Sequence, residues 1–71
     1  MTSTALERKK TAILEYYRGG KVADYENHSE SLTRSLKNKG YLRSGISLDE
    51  MAETIRTTEL GLAHLASDRK W

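Results

Sequence analysis

Apolar positions along the chain fall into short, separate groups, and their spacing changes twice. Leu6, Ile13, Leu14 and Tyr17 lie close to one face of a helix, which predicts a first helix over residues 5–18. Thr4 and Glu7 stand in the capping-box pattern at its start, where a hydroxyl accepts from the first turn and a carboxylate reaches back. Gly19-Gly20 ends it, because glycine takes the left-handed conformation cheaply. A short second helix is predicted over residues 22–25.

Leu32 and Leu36 then stand one turn apart and predict a third helix that stops at Gly40. Asn27 and Glu30 repeat the capping-box pattern at its start, with Ser29 as the other candidate cap. Tyr41 and Leu42 open an extended segment, and Ser44-Gly45 reads as a turn. The β-branched residues over 54–57, with Ile55 as the apolar member, predict a second extended segment. Residues 47–51 between them suit either a loop or one helical turn. Thr58 suits the N-cap of a last helix from Glu59 to about Ser67, with Leu62 and Leu65 facing the core. Two strands alone are marginal, so a hairpin here must pack on the helices. The expected fold is mainly α with a small β-hairpin: a three-helix core, a two-stranded wing and a C-terminal helix. Residues 1–71 form one domain, with 68–71 a tail or interface segment.

Composition narrows the chemistry. The 71 residues include no cysteine, so neither a disulfide nor a thiolate metal site can add stability. A chain this short holds by packing alone or by packing plus an oligomer interface. No apolar run approaches the roughly 18 residues of a membrane span. Met1-Thr2-Ser3-Thr4 lacks the basic-then-apolar pattern of a signal peptide. A cytoplasmic chain that does not touch membranes is expected. Charge is distributed unevenly although the net charge is only +2. Residues 31–45 carry Arg34, Lys37, Lys39 and Arg43 and no acid, whereas 46–53 carry Asp49, Glu50 and Glu53 and no base. A basic stretch beside a helix is an electrostatic footprint for nucleic acid.

Two stretches resemble a known group of proteins. Ser31-Leu32-Thr33-Arg34-Ser35-Leu36-Lys37-Asn38-Lys39-Gly40-Tyr41-Leu42 is similar to the recognition helix and first wing strand of winged-helix transcription regulators of the MarR and PadR type. Ile55-Arg56-Thr57-Thr58-Glu59-Leu60-Gly61-Leu62-Ala63-His64-Leu65 resembles their second wing strand running into the T-E-x-G-x-x-x-L start of the next helix. The likeness runs in order over roughly residues 5–66. It implies a winged helix-turn-helix that binds double-stranded DNA, as a homodimer or in cooperative arrays. Two departures stand out. Residues 22–29 are shorter than a usual second helix plus turn. The wing is acidic, which disfavours its insertion beside phosphates.

With Leu32 and Leu36 inward, the opposite side of the third helix carries Asn27, Glu30, Arg34 and Asn38, flanked by Ser31 and Lys37. Arginine can contact guanine in bidentate fashion, and asparagine adenine. Serine and lysine can hold phosphates. Arg43 and Lys21 are candidate backbone contacts, and residues 27–39 the candidate reader of the major groove. A charged outer face is also the ordinary state of any soluble helix. Lys39 equally suits the helix dipole. Tyr16, Tyr17, Tyr25 and Tyr41 suit packing better than base stacking. His64 reads as a boundary residue, and His28 as a boundary residue or phosphate contact.

No feature supports catalysis, a cofactor or a metal. Gly19-Gly20 is an isolated pair and no phosphate loop. No serine or histidine sits in a nucleophile setting. Asp49, Glu50 and Glu53 match no calcium loop. Two function classes follow. One is a non-enzymatic, sequence-specific DNA-binding regulator, of phage or mobile-element type given its brevity. The other is a protein-interaction module, an adaptor or inhibitor, docking through Asp49, Glu50, Glu53, Leu60 and Trp71.

Overall fold

The computed structural model describes residues 5–67. Thr4, Trp71 and the 68–71 tail lie outside the described residues. The elements are α1 (Ala5–Tyr16), β1 (Lys21–Val22), α2 (Glu30–Asn38), β2 (Leu42–Ser47), β3 (Ala52–Thr57) and α3 (Glu59–Ala66). Three helices and a three-stranded antiparallel sheet make a compact mixed α/β fold. The sheet order is β1-β3-β2.

The expected second helix is absent, and β1 stands in its place. Gly20, at φ +83°, turns the chain so that Lys21 pairs with Ile55 and Val22 with Thr54. The Ala23 amide adds a hydrogen bond to the Glu53 carbonyl at 2.9 Å. The Asp24 amide then donates to the hydroxyl of buried Tyr17 at 2.9 Å. Asp24 in turn closes a tight turn, its carboxylate accepting from the Glu26 and Asn27 amides and from Asn27 Nδ2. The chain taken up by these pairings leaves no room for a helix before α2.

Ser29, not Asn27, caps α2, its Oγ accepting from the Leu32 amide at 3.3 Å. At the other end Gly40, at φ +87°, permits a Schellman closure. The Tyr41 amide bonds to the Leu36 carbonyl and the Gly40 amide to that of Lys37, each at 3.0 Å.

The second correction concerns Ser44-Gly45, which lie within β2 and pair with Ile55 and Thr54. The hairpin turns at residues 48–51 instead, where Met51 takes φ +52°. The local composition of Ser-Gly favours a turn, but the six-rung pairing of β2 with β3 overrides it. Thr58 caps α3 as expected, accepting from the Gly61 amide at 3.2 Å.

The core joins Ile13, Leu14 and Tyr17 of α1 and its exit to Leu36, Leu42 and Ile55. All three helices supply residues to one side of the sheet, with Leu32, Tyr41 and Leu65 packed around it. Leu6 is half exposed and lies outside this cluster. Strand alternation sends Leu42, Ile55 and Thr57 inward and Arg43 and Arg56 to the opposite face. Thr57 also ties β3 to α1, its Oγ1 donating to the Leu14 carbonyl at 2.6 Å.

Candidate nucleic-acid interface

α2 is anchored by Thr33 and Leu36, both fully buried. Thr33 donates to the Ser29 carbonyl at 2.8 Å, so its hydroxyl is satisfied within the helix. That anchoring leaves Ser31, Arg34 and Asn38 exposed on one outward surface. Arg34 lies 3.2 Å from Glu30 one turn earlier, an exposed pair that costs little to open.

The remaining candidates separate from this group. Lys37 is half-buried, with Nζ 3.5 Å from Glu53 Oε2. Asn27 lies outside the helix, in the turn held by Asp24. That hydrogen bond to Asn27 is the leading cause holding the Asp24 carboxyl below its ordinary value. Lys21 stands on β1 with Nζ 5.5 Å from the Tyr16 ring centre, a cation–π distance. Arg43 projects from the outward face of the sheet, away from α2.

The tyrosines are structural, as expected. Tyr17 is buried, and burial pushes its hydroxyl above the ordinary value. Tyr16 packs edge-on to Tyr17 and 4.5 Å from the His28 ring, so His28 is held in a small aromatic cluster. Tyr41 stacks on His64 at 4.9 Å. Tyr25 donates to Glu53 Oε1 at 2.9 Å. Burial first, and that bond second, push its hydroxyl up to about 12.

The hairpin turn carries Asp49 and Glu50 in solvent. Around them Ile46, Leu48 and Met51 are 77%, 83% and 84% exposed, an apolar tip on an acidic turn. Glu53 is withdrawn from that tip by its bonds to Lys37 and Tyr25. Leu60 is exposed on α3, beside Gly40.

Two basic residues were not legible as site candidates. Arg56 pairs across the sheet with Arg43, and Arg18 leaves α1 toward the same face. The alternation Ile55-Arg56-Thr57 places Arg56 outward, but the partner opposite it depends on the hairpin register. Placing the turn at Ser44-Gly45 hides that register.

Among the described residues, no group of three acidic, histidine or cysteine side chains is arranged to hold a metal ion. No described helix is long and apolar enough to cross a membrane. No protein-family model, curated protein or solved structure matches this chain.

Proposed function

We propose that the chain is a non-enzymatic, winged-helix-like protein that reads double-stranded DNA with α2. The observation that carries this reading is the outward surface of Ser31, Arg34 and Asn38 on a helix fixed at both ends. An α-helix with its side chains is about 10–12 Å across, which fits the roughly 12 Å width of the major groove. Arg34 supplies the guanine contact and Asn38 the adenine contact, with Ser31 on a phosphate. The order α1-β1-α2-β2-β3-α3 suits a winged helix whose second helix is reduced to the turn after Asp24. So small a surface makes few base contacts, which favours a homodimer on two half-sites about one DNA turn apart.

Selection of a site from random duplexes, followed by anisotropy titration, tests the assignment. Arg34→Ala is expected to cost about 1–3 kcal/mol on the selected site and to relax discrimination at one base pair. Unchanged discrimination in both Arg34→Ala and Asn38→Ala removes α2 as the reader.

One observation favours a second reading, a protein-docking module. Ile46, Leu48 and Met51 cluster in solvent at the hairpin tip, beside Asp49 and Glu50. Exposed apolar clusters rimmed by charge are characteristic of protein contacts. Partner binding that survives Arg34→Ala and is lost on Leu48→Ser favours this reading over the first.

A further inference from the structure

Arg43 and Arg56 occupy directly opposed positions on β2 and β3, on the sheet face turned away from the core. Like charges directly opposite one another across a sheet are destabilising. Folding therefore gives no reason for this pair. Arg18 converges on the same place from the end of α1. Among the described residues, none of the three guanidinium groups lies in an ion pair.

The space around the pair is open on both sides. A groove of about 330 Å³ runs between Gly20, Arg43, Gly45, Thr54 and Arg56. A second, of about 360 Å³, is bounded by Arg18, Arg43, Arg56, Thr58 and Glu59. The two arginines thus form a ridge with a depression on each flank. Gly20 lines the first depression, where a Cβ would stand in ordinary van der Waals contact with Arg56. Thr54 and Thr58 also line them, with their hydroxyls donating to the Gly45 and Gly40 carbonyls. Glu59 is the one acid among these lining residues, and it stands at the α3 end.

We infer that this outward sheet face is a phosphate-binding surface, with Arg18, Arg43 and Arg56 as its ligands. Guanidinium forks match phosphate oxygens in bidentate pairs. Several phosphates in a row would relieve the repulsion among these like charges. The chemistry is a run of phosphate groups, supplied either by a nucleic-acid backbone or by a small oligophosphate. The nucleic-acid source rests on the DNA-binding reading above; the oligophosphate source does not. The surface is separate from α2, which packs over the opposite side of the sheet.

The test uses the full chain, with inorganic tripolyphosphate and a non-specific duplex as probes. Backbone amide and arginine Nε–H resonances report the site, and anisotropy over a salt series reports duplex affinity. Tripolyphosphate is expected to shift Gly20, Gly45 and the three arginine side chains. Arg43→Gln with Arg56→Gln is expected to abolish those shifts. The same double variant is expected to reduce the log–log salt slope of duplex binding by about 2, since each phosphate that a basic residue neutralises contributes about 0.9. Ser31→Ala with Asn38→Ala should leave the tripolyphosphate shifts unchanged. The double arginine variant removes a repulsion, so its melting temperature is expected to hold or rise, which separates a binding defect from a folding defect. Tripolyphosphate binding here without duplex binding makes oligophosphates the source and overturns the α2 reading alone. Duplex binding with no shift on this face and an unchanged slope overturns the phosphate surface alone. No binding of either probe at low salt overturns both.

Discussion

Lys37 and Glu53 meet across the space between α2 and β3, Nζ 3.5 Å from Oε2, and the same carboxylate takes the Tyr25 hydroxyl at 2.9 Å. One acid therefore gathers three segments: α2, the central strand and the turn before α2. Lys37, which by sequence belongs to the DNA-facing set, acts here as a brace. Glu53, which by sequence belongs to an acidic wing, is its anchor.

This brace has a pH signature. The Tyr25 hydroxyl is raised from 10.0 to about 12, by burial first and by Glu53 second. A folded value above the unfolded one gives stabilisation that is fully present below pH 10 and lost as pH rises through about 12. Tyr17, raised by burial, acts in the same direction. Urea melts across that window are expected to show falling stability in the wild type and a shallower fall in Tyr25→Phe. Equal slopes in the two proteins would contradict the assignment to Tyr25.

Gly61 should tolerate no side chain. A Cβ there would lie 2.6 Å from Thr57 Cγ2 and also against the Tyr41 carbonyl oxygen, a backbone atom that cannot turn aside. Alanine gains about 1 kcal/mol in helix propensity. Overpacking of a tight site costs about 1–3 kcal/mol, and more where backbone must move. Gly61→Ala is expected to lower the urea midpoint; a midpoint at or above wild type would show that α3 shifts freely against the backbone at Tyr41.

The Thr57 hydroxyl does more than fill space. Leu14 is in the last turn of α1, and the Arg18 amide bonds to Glu15 instead of reaching the Leu14 carbonyl. Thr57 supplies that carbonyl with a donor at 2.6 Å in a buried setting. Thr57→Val keeps the shape and removes the donor, so a loss of about 1–3 kcal/mol is expected. Thr57→Ser, which keeps the donor, should lose less; calorimetric melts that rank the two in reverse would assign the effect to methyl packing.

Met51 is strained in the opposite sense. Its φ of +52° lies in the left-handed region, which costs a non-glycine residue about 1–2 kcal/mol. Glycine removes that cost and gives back roughly 0.5–1 kcal/mol in chain entropy. Because the side chain is almost wholly exposed, no packing is lost. Met51→Gly is expected to raise stability by up to about 1 kcal/mol, and a lowered melting temperature would mean the methionine has a packing partner.

Two elements, α2 and α3, were legible because their signals are local. Leu36 one turn from Leu32, Gly40 at the exit and Thr58 before Glu59 each carry their own physical reason, and α2 and α3 form where those reasons place them. β1 was not legible. Two residues carry no periodicity, and their extended state depends on Ile55 and Thr54, over thirty positions away. The same distance effect hid the opposition of Arg43 and Arg56. On α2, spacing alone set Ser31, Arg34 and Asn38 outward, but not the capture of Lys37 by Glu53. An acid on another element, fixed only by the fold, decided that side chain's role.

Thr58 closes a short circuit between the ends of two helices. Its hydroxyl donates to the Gly40 carbonyl at 2.6 Å, and its amide to the Tyr41 carbonyl at 3.0 Å. Gly40 and Tyr41 are in turn bonded to the last turn of α2. The exit of α2 and the start of α3 are thereby locked in step, although eighteen residues separate Gly40 from Thr58 along the chain. A shift at the start of α3 therefore bears directly on the end of α2. In mechanical language α3 is a lever and Thr58 its pin, with the end of α2 on the other side of the joint.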